Sequence, residues 1–261
     1  MTLNSPSVTY QEIRGTADTP IYVTGAPLEH GPLPAFFYFA LAGDESLSLD
    51  PFNQVVAALH ETPMRIFSLT LPGHGGNFDK RHAMAYWAKK IEDGETIIDD
   101  FIALALEQVD AMIAAEYIDT AALAAGGLSR GAYIATKLTA KHKDIQTLLG
   151  FAPLTTLETV QAFTRSGEEY SLLPHAPELA GKTIRYYMGN NDTLVGTRRC
   201  FDFFESLVEA ANAQKIRSIK AELYLYPSIG FKGHGTPPEI FLDGAKWLQS
   251  QILKEEQTCE S

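Results

Sequence analysis

Residues 127–131 read Gly-Leu-Ser-Arg-Gly, a G-x-S-x-G pentapeptide. It lies between a small apolar run, 121–125, and a helix-like run, 132–142. A strand–turn–helix at this point would hold the Ser129 hydroxyl in a strained, exposed turn, and the two flanking glycines relieve crowding around it. The hydroxyl would sit at a helix N-terminus, where backbone N–H groups and the helix dipole favour a developing negative charge. Serine is a poor nucleophile until a base takes its proton. A histidine base in turn needs a carboxylate to fix its tautomer and to stabilise the imidazolium. Both partners are available downstream.

The carboxylate is expected at Asp192, within Gly-Asn-Asn-Asp-Thr-Leu-Val (189–195), directly after the strand-like run 183–188. Ligand-facing residues of a parallel sheet sit at such carboxyl-end loops. The alternative for Asp192 is a cap on the following helix. Asp144, in a charged linker, and Asp202, inside a helical pattern, are less suited. The base is expected at His234, in Gly-His-Gly (233–235), after the strand ending at Tyr226. His30, His60, His82, His142 and His175 lack that glycine-flanked, strand-end setting. His142 reads as a cation at a helix end.

The elements that must position these groups alternate. Short apolar runs at 21–24, 35–42, 64–71, 121–125, 147–152, 183–188 and 222–226 end in turn formers, as fully buried parallel strands do. Between them lie helical patterns at 51–60, 97–117, 132–141, 200–214 and 238–253. Asp50 and Pro51 read as N-cap and first helical residue of the earliest of these. Alternating strands and helices predict an α/β, three-layer α/β/α sandwich with a mostly parallel central sheet, as a single domain over 1–261. The stretch 154–181 has weaker periodicity and two prolines, so it is either a small cap or lid over the site or a long connection. The aromatics Phe36 to Phe39 and Phe201 to Phe204 read as core.

The chain has 261 residues, 45% of them hydrophobic, and a net charge of −11. That acidity argues against nucleic acid and anionic membranes as partners, since both require clustered Lys and Arg. Two cysteines, Cys200 and Cys259, are too few for a disulfide framework. No basic segment followed by an apolar block opens the chain, and no apolar run reaches the ~20 residues of a membrane span, so a cytoplasmic protein is expected. There is no CxxC, HExxH or GxxxxGK[ST] pattern. No metal and no cofactor are therefore expected.

The order Ser129, Asp192, His234 resembles the nucleophile–acid–base order of the α/β-hydrolase fold superfamily, over roughly 21–253 of the chain. Leu71-Pro72-Gly73-His74-Gly75 adds to the likeness. It looks like a turn that many members carry after an early strand, which makes His74 a structural residue. Residues 127–135, GLSRGAYIA, look most like the elbow of dienelactone-hydrolase-like and prolyl-oligopeptidase-like esterases.

The resemblance implies a serine hydrolase acting on a carboxylic ester or thioester of a small-molecule acyl substrate, through an acyl-enzyme. It also implies an oxyanion hole built from the backbone N–H of Arg130 and a second N–H after the aromatic strand. Counting places that donor at Ala42, with Leu41 and Gly43 one slip away. Here the chain departs from the family, with Ala40-Leu41-Ala42-Gly43 where many members have His-Gly. Asp44 and Glu45 either face the pocket mouth, disfavouring anionic substrates, or are solvated acids at a helix start. The same fold also hosts acyl transfer, lyase and cofactor-free haloperoxidase chemistry, and non-catalytic binding modules.

Overall fold

A computed structural model describes residues 8–76, 78–163 and 170–253. Eight strands form one sheet in the order β1-β2-β4-β3-β5-β6-β7-β8. They are β1 (Gln11–Arg14), β2 (Pro20–Gly25), β3 (Leu33–Phe39), β4 (Arg65–Ser68), β5 (Ile118–Leu128), β6 (Ile145–Phe151), β7 (Thr183–Gly189) and β8 (Ala221–Tyr226). β1 and β2 are antiparallel to each other, and β2 is antiparallel to β4. From β4 to β8 every pairing is parallel.

The helices are α1 (Gly43–Ser48), α2 (Gln54–Leu59), α3 (Ala83–Glu92), α4 (Ile97–Ala114), α5 (Arg130–Lys141), α6 (Ala176–Leu179), α7 (Thr197–Ala213) and α8 (Pro238–Ile252). They cover both faces of the sheet, which is why β3 is an unbroken apolar run. Phe37 and Phe39 point into one core with Trp87, Phe101, Tyr133 and Phe203, from α3, α4, α5 and α7. Phe36 and Tyr38 point into the other with Val55, Phe241 and Trp247, from α2 and α8. Strand side chains alternate faces, so only a strand buried on both sides reads as continuous hydrophobicity.

Several expectations need correction. The helix expected at 51–60 begins at Gln54, because the chain first closes a turn in which the amides of Phe52 and Asn53 donate to the Leu49 carbonyl. Pro51 is therefore not a first helical residue. β1 was not expected, since its sequence is polar (Gln-Glu-Ile-Arg) and it is a largely exposed edge strand. Phe201 is 41% exposed and is not a core residue, whereas Phe203 is fully buried.

Within 154–181 the described residues form three short 3-10 turns and α6. Leu157, Phe163, Leu172 and Leu179 anchor them in the core shared by α4, α5 and α7. Cys200 is buried, and Cys259 lies outside the described residues. Among the described residues, no helix is long and apolar enough to cross a membrane.

Candidate active site

The strand register brings five carboxyl ends into line. Phe39 of β3 pairs with Gly127 of β5. Leu128 pairs with Phe151 of β6, Phe151 with Tyr187 of β7, and Gly189 of β7 with Tyr226 of β8. Each loop that leaves this rim contributes to one site.

Ser129 occupies the turn between β5 and α5 with φ 55° and ψ −115°, a left-handed region that L-residues avoid. The strain is held from both sides. Its N–H donates to Phe151 O (2.8 Å), and its carbonyl accepts from Ala132, Tyr133 and Leu154. Both elbow glycines are required by close backbone approach, Gly131 to the end of β3 and Gly127 to the elbow itself as well as to β3. A Cβ on Gly131 would lie 1.8 Å from Phe39 O, and one on Gly127 would lie 2.3 Å from Gly131 C and 2.5 Å from Phe39 O. The pentapeptide therefore fits only with bare backbone against the end of β3.

His234 Nε2 lies 2.9 Å from Ser129 Oγ, and His234 Nδ1 lies 2.6 Å from Asp192 Oδ2. The structure thus joins all three residues singled out in the sequence. The Asp192 side chain is completely buried and that of His234 is 17% exposed. Asp192 does not cap α7, whose N-cap is Gly196; instead Oδ1 accepts the N–H groups of Leu194 (2.9 Å) and Val195 (3.1 Å) in the turn before it. Because Nδ1 faces a carboxylate it carries the proton, which leaves Nε2 with its lone pair toward the serine.

The two loops that carry acid and base are tied together. Gly233 has φ 79°, and a Cβ there would meet Asn191 O at 2.3 Å. The Thr193 N–H donates to Lys232 O (2.9 Å). Thr197 closes the acid loop: its hydroxyl donates to Gly189 O (2.6 Å) and accepts the Asp192 N–H (2.9 Å). Tyr226 Oη lies 3.3 Å from Gly235 O, on the far side of the histidine. Thr197 and Tyr226 were not foreseen. A threonine at a helix start and a tyrosine ending a strand are ordinary in a sequence, and only the loop contacts reveal their roles.

At the end of β3, the amides of Ala40 and Leu41 both donate to Ser46 Oγ (3.1 and 3.0 Å), and the amide of Gly43 donates to Thr70 Oγ1 (3.0 Å). Of the three amides left open by counting along the chain, two are thus occupied. The Ala42 amide has no partner among the described residues. Ala42 precedes α1, and the Arg130 amide opens α5, where the first N–H groups lack intrahelical acceptors. Asp44 and Glu45 lie in the first turn of α1, and Glu45 is paired with Lys80 at 3.0 Å.

Ser129 and His234 open onto a cavity of about 220 Å³, whose walls include Leu41, Pro51, Phe52, Leu128, Arg130 and Phe241. A neighbouring cavity of about 600 Å³ is lined by residues that include Ala42, Glu45 and His74. His74 is a turn residue, as the sequence suggested: its Nδ1–H donates to Pro72 O (3.0 Å). Burial, then the nearby Arg130 charge, pushes its pKa down to about 4. Among the described residues, no group of three or more His, Cys, Asp or Glu side chains gathers to hold a metal ion.

No family model matches the chain, and no curated protein matches it in sequence. Solved structures do. TT1662 from Thermus thermophilus superposes with a TM-score of 0.69 at 15% identity, over 94% of this chain and 99% of its own. An acylaminoacyl peptidase from Pyrococcus horikoshii gives 0.67 at 12% identity, over 96% of this chain and 43% of the peptidase. Dipeptidyl peptidase 4 from Porphyromonas gingivalis gives 0.64 at 18% identity, over 93% of this chain and 35% of that one. The chain therefore spans less than half the length of either peptidase. At such identities the likeness is one of fold, and together with the sheet order it establishes the α/β-hydrolase fold.

Proposed function

We propose that the chain is a serine hydrolase acting on carboxylic esters or thioesters, with Ser129 as nucleophile, His234 as base and Asp192 as the residue that orients the base. The observation that carries this reading is the pair of contacts at 2.9 and 2.6 Å linking hydroxyl, imidazole and buried carboxylate. Ser129 Oγ attacks the acyl carbon as His234 Nε2 takes its proton. The carbonyl oxygen becomes an oxyanion, received by the Arg130 and Ala42 amides. Collapse of the tetrahedral intermediate expels the alcohol or thiol, which leaves with the proton held on His234. Water, deprotonated by the same Nε2, then attacks the acyl-enzyme, and Ser129 is restored with release of the acid.

The cavity beside Ser129 is small and its walls are mainly apolar. That supports short acyl groups and a leaving group directed toward solvent. A second reading, cleavage of an amide or peptide bond, draws on the peptidases among the structural neighbours. A role for residues 154–181 as a cap that sets specificity is part of the proposal.

A fluorophosphonate probe is expected to label Ser129, and Ser129→Ala is expected to abolish labelling. Labelling elsewhere, or none on the folded protein, refutes the proposal. Turnover of a p-nitrophenyl ester series from acetyl to palmitoyl, beside matched p-nitroanilides, separates ester from amide preference and reads the pocket length.

A further inference from the structure

Three described arginines are withdrawn from the surface: Arg65 is buried, and Arg130 and Arg185 are half-buried. Arg65 donates to the backbone carbonyls of Ala26, Pro27, Gly31 and Tyr117. Arg185 is paired with Glu222 and Asp243. Arg130 has neither arrangement. Its one hydrogen-bond partner among the described residues is the Nε2 of His74, at 3.3 Å. Because His74 Nδ1–H is committed to Pro72 O, Nε2 must be the acceptor, so a neutral imidazole supports the guanidinium. One nitrogen, Nη1, is thereby fixed, and the remaining side-chain N–H donors have no acceptor oxygen among the described residues.

The placement is unfavourable in itself. Arg130 is the first residue of α5, at the positive end of a twelve-residue helix, where a cation opposes the dipole. It is also half-buried, and burial holds its pKa below the ordinary arginine value. A desolvated cation without a counter-charge is costly, and local rules are broken in this way chiefly where a ligand supplies the missing group. Glu45, the acid on α1 that acts on the neighbouring His74, is bound to Lys80. Arg130 lines the same cavity as Ser129 and His234. His74, which braces the guanidinium, lines the neighbouring cavity, so a group bound by the Arg130 side chain would lie close to the bond being cleaved.

Resting on the hydrolase reading, we infer that the Arg130 guanidinium, braced by His74, receives a carboxylate carried by the substrate, so that the site selects acyl esters bearing a second, ionised carboxylate. Arginine suits this task because its planar fork meets both oxygens of a carboxylate at once. The Arg130 side chain is in this sense a specificity residue, separate from the role of its backbone N–H.

The test is binding to Ser129→Ala protein, measured by calorimetry. The probes are monomethyl glutarate (carboxylate on the acyl side), acetoxyacetate (carboxylate on the alcohol side) and the neutral dimethyl glutarate. At least one anionic ester is expected to bind about tenfold or more tighter than the diester. Adding Arg130→Gln is expected to erase that ratio, and adding Arg130→Lys to retain part of it. Equal binding of anionic and neutral esters, or a ratio that survives Arg130→Gln, overturns the inference. If Arg130→Gln does not fold, modification of Arg130 by phenylglyoxal in the Ser129→Ala protein decides. Protection by an anionic ester and not by the diester supports the site, and equal or absent protection refutes it. Fluorophosphonate labelling separates the two claims. Labelled Ser129 without anion preference sinks this inference alone, and anion preference without labelling sinks the hydrolase reading alone.

Discussion

Replacing Asp192 by asparagine changes one charge and almost no volume, yet the surrounding hydrogen bonds predict a large effect. Oδ1 accepts two backbone N–H groups, from Leu194 and Val195, and Oδ2 faces His234 Nδ1. In the variant the amide oxygen must take the Oδ1 position, because an NH2 group there would confront two donors. The NH2 group then faces Nδ1, which must become an acceptor. The imidazole proton moves to Nε2, and the ring can no longer take the serine proton. Flipping the amide restores the useful tautomer only by orphaning two buried N–H groups, at about 2 kcal/mol each. A cost of about 4 kcal/mol leaves roughly one molecule in a thousand competent. Loss of the carboxylate that stabilises the imidazolium removes about another factor of ten. The expected fall in kcat is therefore about 10⁴, in line with the same change in other triads. The measurement is kcat on the best ester of the panel, alongside urea unfolding, where stability should stay within about 1 kcal/mol. A variant that keeps a tenth of its activity, or whose loss of activity tracks unfolding, would falsify the reasoning.

Gly131→Ala drives a Cβ to 1.8 Å from Phe39 O and must separate α5 from β3. A loss of about 3 kcal/mol in unfolding free energy is expected, together with loss of fluorophosphonate labelling. Gly181→Ala, which meets nothing within 4 Å, should shift stability by no more than about 0.5 kcal/mol. Arg65→Met orphans the backbone carbonyls that the guanidinium collects at the start of β4, away from the catalytic rim. A loss of about 3–5 kcal/mol in urea unfolding is expected, with KM unchanged where the variant remains folded. His74 has a folded pKa of about 4, below the ordinary value of 6.5. Its neutral form contributes stability that is complete above pH 6.5 and is lost as pH falls toward 4, because the unfolded chain binds the proton first. His74→Gln should flatten the slope of stability against pH in that window, by an amount on the order of 1–2 kcal/mol. An unchanged slope would show that His74 is not held neutral.

The candidate triad was legible because each member sits in a locally determined setting. Ser129 needs bare backbone on both sides. Asp192 and His234 follow strands in loops whose Gly and Asn residues permit close approach. These constraints act over a few residues and leave a mark in the string. The edges of elements were less legible. The polar β1 pairs only through its backbone, and the delayed start of α2 follows from a turn closed on Leu49. Neither produces a hydrophobic period. Counting along the chain left the second amide of the proposed oxyanion hole among three residues; Ser46 and Thr70 occupy the amides of Leu41 and Gly43, which favours Ala42 in that proposal.

By itself the sequence determined a sheet buried on both faces, through runs such as 35–39 in which neither face can be left polar. It also marked the elbow, through the glycines at 127 and 131 that flank Ser129. The tertiary structure alone decided which residues brace the acid and base loops, and that the Arg130 side chain has no oxygen partner among the described residues. Those outcomes depend on contacts between residues 5 to 56 positions apart. Such contacts arise only once the strand ends are aligned, and no local pattern in the chain encodes them.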